Sequence, residues 1–565
     1  MNNECQGYLE LNQNCATDFL QHVVIVDNRL YFTKKEENQF HTALTTPVPR
    51  QRRKNQESSD QGNGNENEET VSHDLNAKKL VESFADKGII CCPYLPSDTE
   101  EDTILVDRAF KIARNADIVV LDWKLGGPST KVINIIKEIL KHDKENGGRL
   151  RLITIYTGEE DVVTHYRELM GEIFPEDEPH DPEKYTSENI PSDYYTIDKE
   201  KLKIIFINKE LVENPQAGVS VIKEEHLPDF LIDKFAEMTE GLMSNIALSS
   251  ITAVREATHH MLAKYDNSLD PAILSHRALI TLPEDAEDFA LSLISDEIKS
   301  ILEVLEVGRE ELGIDKIELW LNYQNSKGLN FDLDSPNGDE LDVSKIKELL
   351  ETGSVNGDFH ELWEKKDGSK YRKNQFKKDI PNLFSKTDDE VKNSNLRLSR
   401  YSNLKREANE SYYKIDNWFP ILKLGSIIYL KNNEEYLLCI QPVCDSVRLP
   451  FGEKRKFPFL ILEKKSYDDR FDLVVKTDNG DECFKIKHDP YEHVHYEFSP
   501  IEDNGVIKAI KVDGHFYFRL KKGSREKFKW ISDVKELYAQ REVQTSSTKL
   551  GRVGLDEYEW LLSKK

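Results

Sequence analysis

Four residues in this chain have the types and the order needed to move a phosphoryl group. Asp27, Asp122, Thr157 and Lys209 each stand at the carboxyl end of a short apolar run. An acid, an acid, a hydroxyl and an ammonium converging on one edge would make an aspartyl-phosphate site. A carboxylate can accept a phosphoryl group when a divalent cation offsets the charge on the incoming group. In that scheme Asp27 helps to hold the metal, and Asp122 is nucleophile and metal ligand together. Lys209 and Thr157 bind the phosphoryl oxygens once the acyl phosphate has formed. The plainer alternative is an α/β domain whose strand-end acids merely cap helices.

The elements that must position these groups are legible as apolar runs at 22–27, 89–94, 117–122, 150–157 and 203–208. Segments with helical spacing lie between them, at about 75–86, 100–115, 129–143 and 160–173. Continuous apolar strands alternating with amphipathic helices predict a five-stranded parallel sheet covered on both faces. Ligands of such sheets sit at the carboxyl ends of the strands, near the switch in strand order.

With these residues in place, the region 20–225 resembles the receiver domain of two-component response regulators, which has a flavodoxin-like fold. The segment Leu121-Asp122-Trp123-Lys124-Leu125-Gly126 resembles the phospho-acceptor segment. Thr157 stands where receivers carry a switch hydroxyl, and Phe206 where they carry a rotameric aromatic switch, three residues before Lys209. The resemblance implies phosphorylation on Asp122 and magnesium at Asp27, Asp122 and Asn28. It also implies a histidine kinase or GHKL-type ATPase as partner. Three features depart from the pattern. Asn28 replaces the second of two adjacent acids, Gly126 replaces a proline, and insertions interrupt the domain at about 30–73 and 175–200. The first insertion is Gly/Asn/Glu-rich, reads as a disordered loop, and holds the basic cluster Arg50, Arg52, Arg53 and Lys54. A degenerate receiver used only for docking is the phosphate-independent alternative.

Beyond the receiver, residues 226–410 read as mainly helical, 411–530 as a β-rich domain and 531–565 as a helical tail. Repeated short strands suggest a small antiparallel barrel or sandwich, with Asp513-Gly514 at a hairpin turn. His259, His260 and His276 lack the acid and proline that follow a phospho-histidine in sensor kinases, so helix packing is the expectation. Asp332, Asp334 and Asp339 do not keep calcium-loop spacing. Asp445, then Glu463-x-Lys465, has the outline of a PD-(D/E)xK metal-dependent nuclease, the rival enzyme reading. His493-x-His495, with His488 and Cys483 nearby, could place two imidazoles on one strand face for a metal. A half-exposed amphipathic strand reads equally well.

Composition narrows the classes. The chain has 565 residues, 38% of them hydrophobic, which is enough for several cores. Its formal charge of −26 argues against a generic nucleic-acid coat. The seven scattered cysteines suit reduced thiols in a cytoplasmic protein. No run is long enough to span a membrane, and the polar N-terminus has no secretory h-region. The resulting expectation is an intracellular phosphorelay protein with a non-transcriptional output. Its helical and β-rich regions would contact other proteins. The arrangement is similar to parts of bacterial conflict or antiphage systems.

Overall fold

The five apolar runs become β1 (His22–Val26), β2 (Ile90–Tyr94), β3 (Ile118–Leu121), β4 (Arg151–Thr157) and β6 (Leu202–Lys209). The computed structural model describes residues 3–31, 75–97, 100–177, 194–199, 202–210, 212–280, 283, 285–329, 331, 343–354, 370, 372–408, 418–502, 505–524 and 526–550. In it the five strands lie in the order β2-β1-β3-β4-β6, every neighbouring pair parallel. The chain thus builds outward from β1 in both directions, and the order reverses between β1 and β3. The expected count of five is exceeded. β5 (Thr196–Lys199) runs antiparallel to the first half of β6, and β7 (Ser220–Ile222) runs parallel to its last residues. β5 buries one apolar side chain, Ile197, so it carries no hydrophobic pattern that a sequence reading could detect.

Two cores cover the sheet. On one face Val24, Val26, Val119, Ile155 and Phe206 meet side chains of α3 (Asp102–Ala113), α4 (Thr130–Glu145) and α5 (Val162–Ile173). On the other, Val23, Ile25, Val120 and Ile205 meet α1 (Asn3–Phe19), α2 (Ala77–Ala85), α6 (Leu227–Met238) and α7 (Leu242–Glu256). Phe235 and Leu248 belong to this second core. One compact unit therefore comprises Leu9–Lys144 and Arg149–Thr252.

Arg151 anchors the end of this unit remote from the strand-end acids. Its guanidinium is buried, pairs with Asp143 at 2.8 and 2.7 Å, and donates to the carbonyls of Ala113 and Ala116 at 2.8 and 3.0 Å. Four of its five N–H groups thus serve buried acceptors, and the fifth reaches Arg114 O at 3.4 Å.

The second unit comprises Met1–Tyr8, Glu145–Gly148 and Ala253–Lys565. Its helical part runs from α8 (Thr258–Lys264) and α9 (Asp270–Leu279) through α10 (Asp285–Val304), α11 (Val307–Glu311) and α12 (Ile314–Ser326). It continues with α13 (Val343–Thr352), α14 (Lys373–Asp379) and α15 (Asp388–Asn403). Leu321, Phe331, Ile346, Leu349, Phe376 and Leu383 form its core. A ten-stranded antiparallel sheet follows, from β8 (Leu404–Glu407), β9 (Ser426–Leu430), β10 (Glu435–Cys439), β11 (Arg455–Lys465) and β12 (Leu473–Thr477) onward. Its remaining strands are β13 (Gly480–Ile486), β14 (Val494–Phe498), β15 (Ile510–Val512), β16 (His515–Arg519) and β17 (Lys527–Val534). Asp513 and Gly514 both take positive φ, 50° and 78°, between β15 and β16, as a tight hairpin turn requires. α16 (Val443–Ser446) is a single turn, and the helical tail expected from residue 531 starts later, as α17 (Glu536–Leu550). Buried Trp530, Ile531 and Val534 keep that stretch in the sheet.

No helix among the described residues is long and apolar enough to cross a membrane. Most of the two insertions, the cluster Arg50, Arg52, Arg53 and Lys54, the acids Asp332, Asp334 and Asp339, and residues 551–565 of the expected helical tail lie outside the described residues.

Replacing Arg151 by alanine leaves Asp143 buried without its ion pair and takes a donor from the carbonyls of Ala113 and Ala116. The expected loss is about 3–5 kcal/mol in denaturant unfolding of the receiver unit, with partial recovery in an Arg151→Ala, Asp143→Asn double variant.

Candidate functional site

Strand register decides which side chains meet. Val26 lies beside Leu121, so Asp27 and Asp122, each one residue further on, emerge next to each other. The Asp122 N–H donates to Val26 O at 2.9 Å, which extends that pairing to the acid itself. Thr157 lies beside Asn208, and Lys209 follows at the end of β6. Sheet topology thus gathers four residues spread over 183 positions of sequence (27 to 209) onto one edge.

All four are buried. Lys209 Nζ lies 2.6 Å from Asp27 Oδ2 and 3.5 Å from Asp122 Oδ1, so one ammonium serves two carboxylates. The other Asp27 oxygen accepts the Arg29 N–H at 2.7 Å. The ammonium also lies 5.9 Å from the centre of the Tyr156 ring, whose hydroxyl donates to Ile222 O at 2.7 Å. Burial pushes the Asp122 carboxyl from its ordinary 3.8 up to about 6. The Lys209 charge opposes that rise, and the Asp27 charge adds to it.

A second layer holds the edge in shape. Thr157 Oγ1 accepts the Glu159 N–H at 3.1 Å. The Asn208 amide donates to Thr157 O and Glu159 O at 3.2 and 2.8 Å, which fixes the loop after β4. Lys124, two residues after Asp122, pairs with Glu159, two residues after Thr157, at 2.7 Å. Phe206 is fully buried, 5.8 Å from the Trp123 ring and 6.0 Å from the Tyr166 ring. Trp123 stacks on His165 at 4.9 Å. Both His165 ring nitrogens are buried without a hydrogen-bond partner among the described residues, and burial lowers the basicity of the ring.

Asn28, expected at the metal, faces the acceptor loop. Its neighbours dictate one amide orientation, with nitrogen donating to Lys124 O at 2.8 Å and oxygen accepting the Gly126 N–H at 3.1 Å. Gly126 takes a φ of +66°, which suits glycine at this turn. Among the described residues, no three His, Cys, Asp or Glu side chains form a group that could hold a metal ion. Asp27 and Asp122 supply two. Two hard carboxylates are a sufficient protein contribution for magnesium when phosphoryl oxygens and water complete its shell.

The other constellations disperse. Cys439 of β10 lies beside Phe459 of β11, and Tyr436 lies beside Leu462. Asp445 therefore follows one end of this strand pair, while Glu463 lies beyond the other. The Ile440 N–H bonds to Pro458 O, and Glu463 is five residues further along β11, roughly 17 Å of extended chain. Glu463 pairs with Lys465 at 2.9 Å and is exposed, as is Asp445. His488 bonds to Glu542 at 2.7 Å and His493 to Ser546 at 2.8 Å, while His495 is exposed. The first two histidines thus engage α17, and Cys483 is a buried apolar neighbour of Leu396 and Val474. His260 approaches Glu297 at 3.4 Å and His276 packs on Phe289 at 4.8 Å, both contacts with α10. His259 is exposed.

Sequence reasoning did not single out Asn208, the Lys124–Glu159 pair or the Trp123–His165 stack. The first two were detectable only as polar residues adjacent to the strand ends. The His165 contact has no local signal.

The family model described as response receiver domain matches residues 19–214, which include all of these strand-end residues. This part of the chain is accordingly recognised as a receiver domain, and the remainder is not identified. No curated protein and no solved structure matches the chain.

Two outcomes follow from the Asp122 environment. Acceptance of a phosphoryl group needs the carboxylate, so the labelling rate by a small phosphodonor should fall below pH 6, about tenfold per pH unit. The folded carboxyl also holds its proton more tightly than an unfolded one. Between 3.8 and about 6 the folded state binds more protons, so stability falls as pH rises through that window. Asp122→Asn removes this cost while Asp27 keeps Lys209 paired. Its melting temperature should exceed the wild type's by several degrees at pH 7.5, and by much less at pH 5.0.

Proposed function

We propose that this chain is a phospho-accepting signalling protein whose receiver takes a phosphoryl group onto Asp122 and regulates a non-transcriptional output. The observation that carries this reading is the buried Asp27–Lys209–Asp122 cluster at the switch in strand order. The natural donor is the phosphohistidine of a partner histidine kinase or of a GHKL-type ATPase. An Asp122 carboxylate oxygen attacks phosphorus, the P–N bond breaks, and its electron pair returns to the imidazole, which takes up a proton. Asp27 and Asp122 would hold the magnesium ion, whose part is to offset charge on the phosphoryl oxygens.

The chain's own residues do the rest. Lys209 neutralises one oxygen of the new acyl phosphate. The Thr157 hydroxyl, which now accepts from Glu159, turns to donate to another. That movement opens space beside Phe206, which leaves its contacts with Trp123 and Tyr166 and alters the surface around α5. Partner proteins would read that change through the helical and β-rich regions. Asp445, Glu463 and Lys465 do not enter this reading, because strand register separates the first from the other two. No described residue speaks for an antiphage setting in particular.

One observation favours the phosphate-independent adaptor: Lys209 and Asn28 already satisfy much of the site without phosphate. Intact-mass measurement after incubation with acetyl phosphate and magnesium separates the two. The expected result is a gain of one phosphate that is absent in Asp122→Asn and reversed by hydroxylamine. No gain from acetyl phosphate or from a phosphorylated histidine kinase would transfer the reading to the adaptor.

A further inference from the structure

Asn28 stands beside Asp27, where a second acid would have doubled the negative charge that follows β1. Its amide is used at both ends by a single turn of chain. Nitrogen holds Lys124 O and oxygen holds the Gly126 N–H, at 2.8 and 3.1 Å. That turn begins immediately after Asp122. The Gly126 N–H also points at Lys124 O, 3.0 Å away, so donor and acceptor form a closed knot. From the other side Lys131, buried and ion-paired with Asp102 at 2.9 Å, brings its ammonium to 3.4 and 3.5 Å from the carbonyls of Leu125 and Gly126. The acceptor loop is therefore gripped from two directions.

Only an amide can make the Asn28 pair of bonds. A carboxylate could accept from Gly126 but would set lone pairs against Lys124 O, and an alanine could do neither.

We propose that Asn28 is a positioning residue and not a metal ligand. It staples the 124–126 turn so that Asp122 is held in place, and it gives up the charge that would let magnesium bind ahead of the phosphodonor. Magnesium and the phosphodonor then bind together, since phosphoryl oxygens supply the ligands that the chain lacks. The inference rests on reading Asp27 and Asp122 as the magnesium-assisted acceptor site, and it specifies how that site is regulated.

The test compares full-length wild type, Asn28→Ala and Asn28→Asp by magnesium calorimetry without a phosphodonor. Amide hydrogen exchange of the 123–127 segment is measured in parallel. A staple predicts that alanine changes the magnesium dissociation constant by no more than about twofold, whereas aspartate tightens it about tenfold or more. Asn28→Ala should speed exchange at Gly126 by roughly tenfold, and Asn28→Asp by less, because its carboxylate still accepts that N–H. If wild-type binding is below detection, the gain in Asn28→Asp and the exchange rates decide. A tenfold weakening in Asn28→Ala would make the amide a ligand and overturn the proposal. So would wild-type exchange in Asn28→Ala, or no tightening in Asn28→Asp. None of these readouts needs Asp122 to be phosphorylated, so failure of the acceptor reading would show separately, as absence of a phosphate gain.

Discussion

One ammonium held between two carboxylates, all three out of water, is the constraint from which the receiver unit follows. Lys209, Asp27 and Asp122 cannot be buried singly, because an unpaired charge in the interior is far too costly. Buried together they still leave one excess negative charge, and burial, with the Asp27 charge adding to it, raises the Asp122 carboxyl to about 6. Above that pH it is a carboxylate, the form that can attack phosphorus. A phosphoryl group offers the ammonium and the nearby hydroxyl new oxygens to hold. The sheet exists in this order to make that meeting possible. The strand order that reverses between the parallel neighbours β1 and β3 brings two acids from adjacent strand ends side by side, with β6 near enough to extend its lysine.

The cluster is linked to the body of the domain by groups that sit one or two residues away from its members. Asn208, next to Lys209, ties down the turn after Thr157. Trp123, next to Asp122, carries the contact to Phe206 on β6 and to His165 on α5. Lys124 and Glu159 join the two loops at the surface. A change of charge on Asp122 therefore has short mechanical routes to α5 and to the aromatic interior of that face. Among the described residues the imidazole of His165 has no hydrogen-bond partner, and it stacks on Trp123.

Much of this was readable from the chain, for a physical reason. Strands buried on both faces must be runs of apolar residues, and the residue that ends such a run is placed by the sheet. Asp27, Asp122, Thr157 and Lys209 were legible because each terminates a run. β5 was not, since an edge strand with only Ile197 to bury shows no pattern. Nor was the attachment of α6 and α7 to the receiver sheet, because helical periodicity shows that a face is apolar without saying what covers it. The position of Asn28 was noticed as a missing charge. Its bonds to Lys124 and Gly126 depend on the close approach of two loops nearly a hundred residues apart, which spacing does not encode. The same limit explains Glu463 and Asp445: their types fit a nuclease outline, and antiparallel register keeps them at opposite ends of a strand pair.

The most direct measurement is chemical mapping of the acceptor. Purified full-length protein would be phosphorylated with a small phosphodonor, reduced with borohydride to convert any acyl phosphate to an alcohol, digested and sequenced by mass spectrometry. The account requires homoserine at position 122 and unmodified aspartate at position 27. Homoserine at Asp27, label on another residue, or no conversion with either a small donor or a histidine kinase would contradict it.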